Sequence, residues 1–276
     1  MTRILSKHSP RDGETRIVLT VDDVLLRNEW IDDVPTISLN EMKPEEDLTI
    51  LNMLEDFNID ATLFVCGRTA ELFPDAIKKL SENFEIAAHG YRHENLHLLK
   101  EPEKRRRTRL STELIERCIN KRVFGWRSPG LHIDTSVYKS LEDTHILWCS
   151  DIEIPLFLRY TPFTYYGKVE LPIAIIDLKL FNKGLSMAKV RQHLLSLLDR
   201  GGNVFTIIIH PWVQLRKRER LEVLRDFLEV AQSKERVRFC TGLDVYKQFI
   251  LRGNSTYTTA LSAVSDLWKR VSSPKL

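Results

Sequence analysis

Apolar and polar positions along this chain fall into two kinds of run that alternate. Short, nearly continuous apolar stretches occur at residues 16–21 (RIVLTV), 60–65 (DATLFV), 84–88 (FEIAA), 123–127, 145–149, 169–176, 203–209 (NVFTIII) and 237–240. Each has the length of a strand. The 203–209 run is apolar on both of its alternating faces, as expected where helices cover both sides of a sheet. Between these runs lie segments with helical periodicity at 44–57, 74–80, 101–121, 134–141, 186–200, 215–233 and 243–252. Their ends carry suitable signals: Pro44 sits in a first turn with acids beside it, and Gly201-Gly202 closes the 186–200 segment. Alternation sustained over about 240 residues predicts parallel strands with covering helices. The fold class expected is α/β, a TIM-like barrel or a distorted relative of one, with an open doubly wound sheet as the alternative. Residues 1–15 read as an N-terminal extension and 16–252 as the barrel. An extra C-terminal helix over 253–276 is expected, with Leu261, Val264, Leu267 and Trp268 on one face, packing on the barrel or in a homo-oligomer.

Bulk composition narrows the function by exclusion. A formal net charge of +3 over 276 residues gives no basis for nucleic-acid binding. Cys66, Cys118, Cys149 and Cys240 are widely spaced, which argues against a disulfide framework or a cysteine zinc site. The N-terminus lacks an apolar signal core, and no apolar stretch is long enough for a transmembrane span, so a cytoplasmic location is expected. No GxGxxG or GKS/GKT phosphate loop is present.

In parallel barrels the chemistry sits at the C-terminal ends of the strands. The polar residues that follow the apolar runs are Asp22-Asp23, His89 and His93, Arg127 with Ser128-Pro129-Gly130, Asp151, and His210 before Pro211-Trp212. Each has an ordinary reading alone: two acids can cap a turn, a histidine before proline is often structural, and an arginine is often a surface ion pair. Jointly they make a coherent site. His89, His93 and one of Asp22 or Asp23 form a three-ligand set of the kind that holds zinc and leaves a position for water. The other acid can then serve as a base, His210 as an acid, and Arg127 can hold the base ionised. Gly90 and the missing glutamate after His89 argue against a helical zinc-protease motif. The basic runs at 104–109 and 216–220 read as solvated helix faces, with attraction to an acidic glycan, nucleotide-sugar or anionic surface as the alternative.

In this order, Thr20-Val21-Asp22-Asp23, His89-Gly90-Tyr91-Arg92-His93, Arg127-Ser128-Pro129-Gly130 and Ile208-Ile209-His210 resemble the motifs of the polysaccharide deacetylase (NodB-homology) family, as does ATLFVCGRTAEL. The resemblance covers roughly residues 16–250. It implies a distorted (β/α)7 barrel and a divalent metal, zinc first, with cobalt, manganese or nickel as alternatives. By resemblance Asp22 is the base, Asp23, His89 and His93 bind the metal, His210 is the acid and Arg127 orients Asp22. Gly90 stands where Ser or Thr is usual, and Val24 where Gly is common. For the family's fourth motif Trp148 and Asp151 are the best matches. Asp151 is expected to orient His210, with Asp177 the weaker candidate. Tyr91, Pro129 and Trp212 are expected to contact substrate, with the oxyanion held by a backbone N–H near Tyr91 or after His93. The implied reaction is hydrolysis of an amide, foremost N-deacetylation of an amino sugar, nucleotide-sugar or lipid-linked sugar. A cyclic amide hydrolase of the allantoinase branch and a non-catalytic carbohydrate-binding barrel are the alternatives.

Overall fold

The computed structural model describes residues 13–26, 44–155 and 158–251. The strands are β1 (Thr15–Val21), β2 (Ala61–Val65), β3 (Glu85–Ala88), β4 (Gly125–Trp126), β5 (Trp148–Cys149), β6 (Phe163–Tyr165), β7 (Lys168–Glu170), β8 (Ile173–Ile176), β9 (Val204–Ile209) and β10 (Val237–Phe239). The helices are α1 (Pro44–Asp56), α2 (Gly67–Leu72), α3 (Pro74–Leu80), α4 (Glu101–Ile119), α5 (Thr135–Ser140), α6 (Asp177–Asn182), α7 (Met187–Leu198), α8 (Pro211–Gln214), α9 (Arg218–Ser233) and α10 (Gly242–Leu251).

The strands form one sheet in the order β6-β7-β5-β4-β3-β2-β1-β9-β8, with β10 paired to the first half of β1. All pairings are parallel except the β6–β7 hairpin. Beyond β5, a bridge between Glu153 and Ile173 carries the sheet across to β8. The parallel strands β1, β2, β3, β4, β5, β8 and β9 thus encircle one interior, which is the distorted (β/α)7 barrel expected.

Strand periodicity stacks that interior in layers. Val18, Phe64, Ala87 and Trp148 pack together in one apolar layer. Above Val18 on the same face of β1 come Thr20 and then Asp22. The floor is closed by the start of α10: Gly242 N–H donates to Thr62 Oγ1 (3.0 Å) and Leu243 N–H to Glu85 Oε2 (3.1 Å). Trp148 lies between Gly125 and Gly242. A Cβ at either would come within 2.2 or 2.3 Å of its ring, so no larger residue fits without displacing the indole.

Several details differ from the sequence expectation. The 169–176 run is two strands, broken at Pro172, which has no N–H to give to a ladder. The 123–127 and 145–149 runs yield only two paired residues each, and the β6 strand and the short helices α2, α6 and α8 have no counterpart in the expected elements. The expected helix over 253–276 lies outside the described residues, as do residues 1–12.

Candidate active site

Asp22, His89 and Arg127 each stand one residue past a strand, and each still donates its backbone N–H to the neighbouring strand, at 2.9–3.0 Å. The barrel framework therefore fixes their Cα positions, while their side chains project over its mouth. Asp23 and His93 follow in left-handed backbone, at φ 61° and 55°. That geometry turns Asp23 back toward the histidines although it follows Asp22 directly.

The three side chains converge. Asp23 Oδ1 is 3.6 Å from His89 Nε2 and 3.3 Å from His93 Nε2. This oxygen is buried and has no hydrogen-bond partner. His89 Nδ1 lies 2.9 Å from the Arg127 carbonyl, which can only accept. The ring proton is therefore on Nδ1, and the Nε2 lone pair faces Asp23. Asp23 Oδ2 accepts from the Trp212 indole at 3.0 Å. Burial alone would raise the Asp23 carboxyl, but the facing imidazoles of His93, His89 and His210 outweigh it, holding it far below the usual range. Burial leads in lowering the His93 ring's basicity, with repulsion from His89 and His210 helping; His89 is raised because Asp23 and Asp22 overcome its burial.

Asp22 faces the same space from the other side. Its Oδ1 accepts from Arg127 Nη1 at 2.6 Å, and its Oδ2 is 4.0 Å from His89 Nε2. Arg127 has no solvent exposure. It also donates to Thr20 Oγ1 (2.7 Å), the Ser150 carbonyl (2.8 Å) and Ser150 Oγ (2.8 Å), and its guanidinium lies 4.0 Å over the Phe64 ring. One Asp22 oxygen is thus fixed by a buried cation, which leaves the other available.

His210 closes the site from β9. Its Nε2 is 4.0 Å from Asp23 Oδ2, and its Nδ1 donates to Asp177 Oδ1 at 2.7 Å. Asp177 also accepts from the His210 N–H (2.8 Å) and from Gln214 Nε2 (2.7 Å). Burial would lower the His210 pKa, yet the charge and hydrogen bond of Asp177, with Asp23 and Asp22 behind, push it up to about 9.

This corrects the expected partner of His210. Asp177, the residue directly after β8, orients it; Asp151 does not. Asp151 Oδ1 instead accepts the Ser128 N–H at 2.6 Å, fixing the Arg-Ser-Pro-Gly turn. Asp151 lies beside Glu170 and Cys149 in a second buried group, where burial raises both acids. Trp212 was expected on substrate, but its ring is buried and its N–H is spent on Asp23. The Tyr91 and Arg92 N–H groups both donate to the buried Glu94 carboxylate, so neither is free as an oxyanion donor. The Tyr91 hydroxyl reaches Glu71 at 3.4 Å. Pro129 packs on Gly90: at φ 72°, a Cβ there would meet Pro129 Cγ at 2.8 Å, which accounts for glycine at this position.

The 104–109 basic run is largely neutralised, and in the 216–220 run Arg218 is. Arg105 pairs with Asp143, Arg106 and Arg107 with Glu103, and Arg109 with Glu113. Lys104 turns inward onto Ser136 and Asp134. Arg218 pairs with Glu222, and Arg216 lies 5.4 Å over the Trp212 ring.

Residues 10–146 match the family model of the polysaccharide deacetylases. A curated relative, the peptidoglycan-N-acetylglucosamine deacetylase of Bacillus cereus, is 36% identical over 69 residues, a match spanning 25% of each chain. Among solved structures, a Mycobacterium smegmatis protein assigned to the polysaccharide deacetylases superposes with a TM-score of 0.74 at 21% identity, covering 91% of this chain and 95% of that one. An allantoinase does so with 0.70 at 17% identity, covering 90% and 94%. A family 4 carbohydrate esterase from Streptomyces lividans gives 0.54 at 16%, covering 83% and 92%.

Proposed function

The chain belongs to the polysaccharide deacetylase family, and we propose that it is a metal-dependent hydrolase removing an acetyl group from an N-acetylated amino sugar. The observation that carries this reading is the buried, unpartnered Asp23 Oδ1 faced by two imidazole Nε2 atoms, beside a second carboxylate held on Arg127. Asp23, His89 and His93 fit a divalent ion in donor type, number and burial. Zinc suits two imidazoles and a carboxylate best; cobalt, manganese or nickel are also compatible. When bound, such an ion polarises a carbonyl and makes a bound water more acidic.

The protein's own groups do the rest. Asp22 takes a proton through Oδ2, because Oδ1 is occupied by Arg127. Arg127 holds that carboxylate in place. His210 gives a proton to the departing amine from Nε2, because its Nδ1 proton is committed to Asp177. A histidine pushed up to about 9 carries that proton at neutral pH.

The substrate class proposed is an amino sugar, a nucleotide-sugar or a lipid-linked sugar. The test is acetate release over a panel of N-acetyl sugars by metal-loaded protein, with cyclic amides beside them. Release from a sugar supports the proposal. Opening of a cyclic amide instead moves the substrate class but keeps the chemistry. No turnover of either, in protein that holds its metal, leaves the carbohydrate-binding alternative.

A further inference from the structure

We infer that Arg220 is a positioning residue for His210, acting through one buried water and Gln214; the inference rests on His210 serving as the proton donor proposed above. A carboxylate only accepts hydrogen bonds, so the Gln214 amide must turn its NH2 group toward Asp177 Oδ2, 2.7 Å away. Gln214 Oε1 then points away, and it is buried with no partner. Arg220 has the complementary defect. Its Nη1 donates to the Val213 carbonyl at 2.7 Å and its guanidinium lies 4.4 Å over the Phe181 ring, but its Nε–H is buried and unpartnered.

Asp177, Gln214 and Arg220 line the same small cavity, whose other walls are apolar, among them Ile175, Ile207 and Phe227. It has room for about 20 Å³ of water-sized occupant, where one water needs roughly 10–15 Å³. A single water there accepts from Arg220 Nε–H and donates to Gln214 Oε1, which satisfies both orphans at once. Every donor then runs one way: Arg220 to water, water to Gln214, Gln214 to Asp177. Asp177 is thereby held square to His210 Nδ1. The placement of Arg220 supports a specific duty. It is the third residue of α9, where the helix N-terminus disfavours a cation, and Arg216 close by disfavours it further.

The test uses full-length, metal-loaded protein carrying Arg220→Met, Arg220→Lys or Gln214→Leu, with folding checked by thermal melting. Arg220→Met keeps a stem over Phe181 but has no N–H. Arg220→Lys keeps the charge but has no N–H at the Nε position. The first readout is the downfield proton resonance of the His210 Nδ1–H, assigned by its loss in His210→Gln. In all three variants it is expected to weaken through faster exchange with water. The second is acetate release, with kcat expected to fall roughly tenfold at unchanged KM. Combining Arg220→Met with Gln214→Leu should cost no more than either alone. An unchanged resonance in folded Arg220→Met, full rescue by Arg220→Lys, or additive losses in the double variant would each overturn the inference. If no amide is hydrolysed by any form, the resonance still decides the positioning network, and only the proposed reaction falls.

Discussion

Replacing Arg127 with Met tests the centre of the site by stability rather than by rate. The guanidinium is fully buried and makes four hydrogen bonds, one of them to the charged Asp22. Methionine fills much of the space but leaves the Asp22 carboxylate without its counter-charge and Thr20 and Ser150 without a donor. Breaking a buried pair by deleting one partner costs about 3–5 kcal/mol. The double variant Asp22→Asn/Arg127→Met removes the stranded charge and should recover about 2 kcal/mol of that. Urea unfolding followed by circular dichroism, in chelator so that no ion adds linked stability, measures both. A loss below about 1 kcal/mol in Arg127→Met, or a double variant no better than the single, would refute the claim that this arginine chiefly neutralises and fixes Asp22.

Asp22→Asn alone should abolish acetate release while metal content, read by elemental analysis, stays at the wild-type level; residual turnover near wild type would remove Asp22 from the base role. His93→Ala should lose the ion, and retention of full metal content would show that the ligands lie elsewhere. Asp177→Asn removes the largest charge that raises His210, so the alkaline limb of kcat should move to lower pH; a pH profile identical to wild type contradicts the assignment. Glu85 is pushed up to about 7 by burial, from 4.5, so the folded state holds a proton between those values that the unfolded state has lost. Stability should therefore fall as pH rises from 5 to 8, by on the order of 2 kcal/mol from this group, and Glu85→Gln should flatten the trend in urea midpoints.

The barrel was legible because β1, β2 and β9 are long apolar runs with nothing else to be. Where pairing shrinks to two residues, at β4 and β5, the apolar pattern still marked the place but not the length. Most of the site was legible by the same rule, since Asp22, His89, Arg127 and His210 each follow such a run. Asp177 obeys the rule as well: it follows Ile173–Ile176 directly. Reading 169–176 as one strand did not hide it, but the resemblance drew Asp151 into its role. The parts that stayed hidden are those with no periodic signature. Gln214 and Arg220 act through cavities and orphan atoms, and the left-handed turns at Asp23 and His93 depend on backbone geometry that residue type does not announce.

One feature of the sheet bears on how the chain comes to be folded. β1 pairs with β9 from Arg16 to Val21, and its first residues also pair with β10, partners roughly 190 to 220 residues downstream. A ribosome adding about 5–20 residues per second needs on the order of ten seconds or more to supply them. Until then one edge of an apolar strand is open to any other strand, and the mouth of the barrel has Asp22 and the histidines at 89 and 93 but not His210. Synthesis interrupted before residue 210 thus yields a chain that lacks the proton donor and also the Trp212 indole that holds Asp23. The wait also predicts slow, chaperone-dependent maturation, because the last strand made holds the first in place.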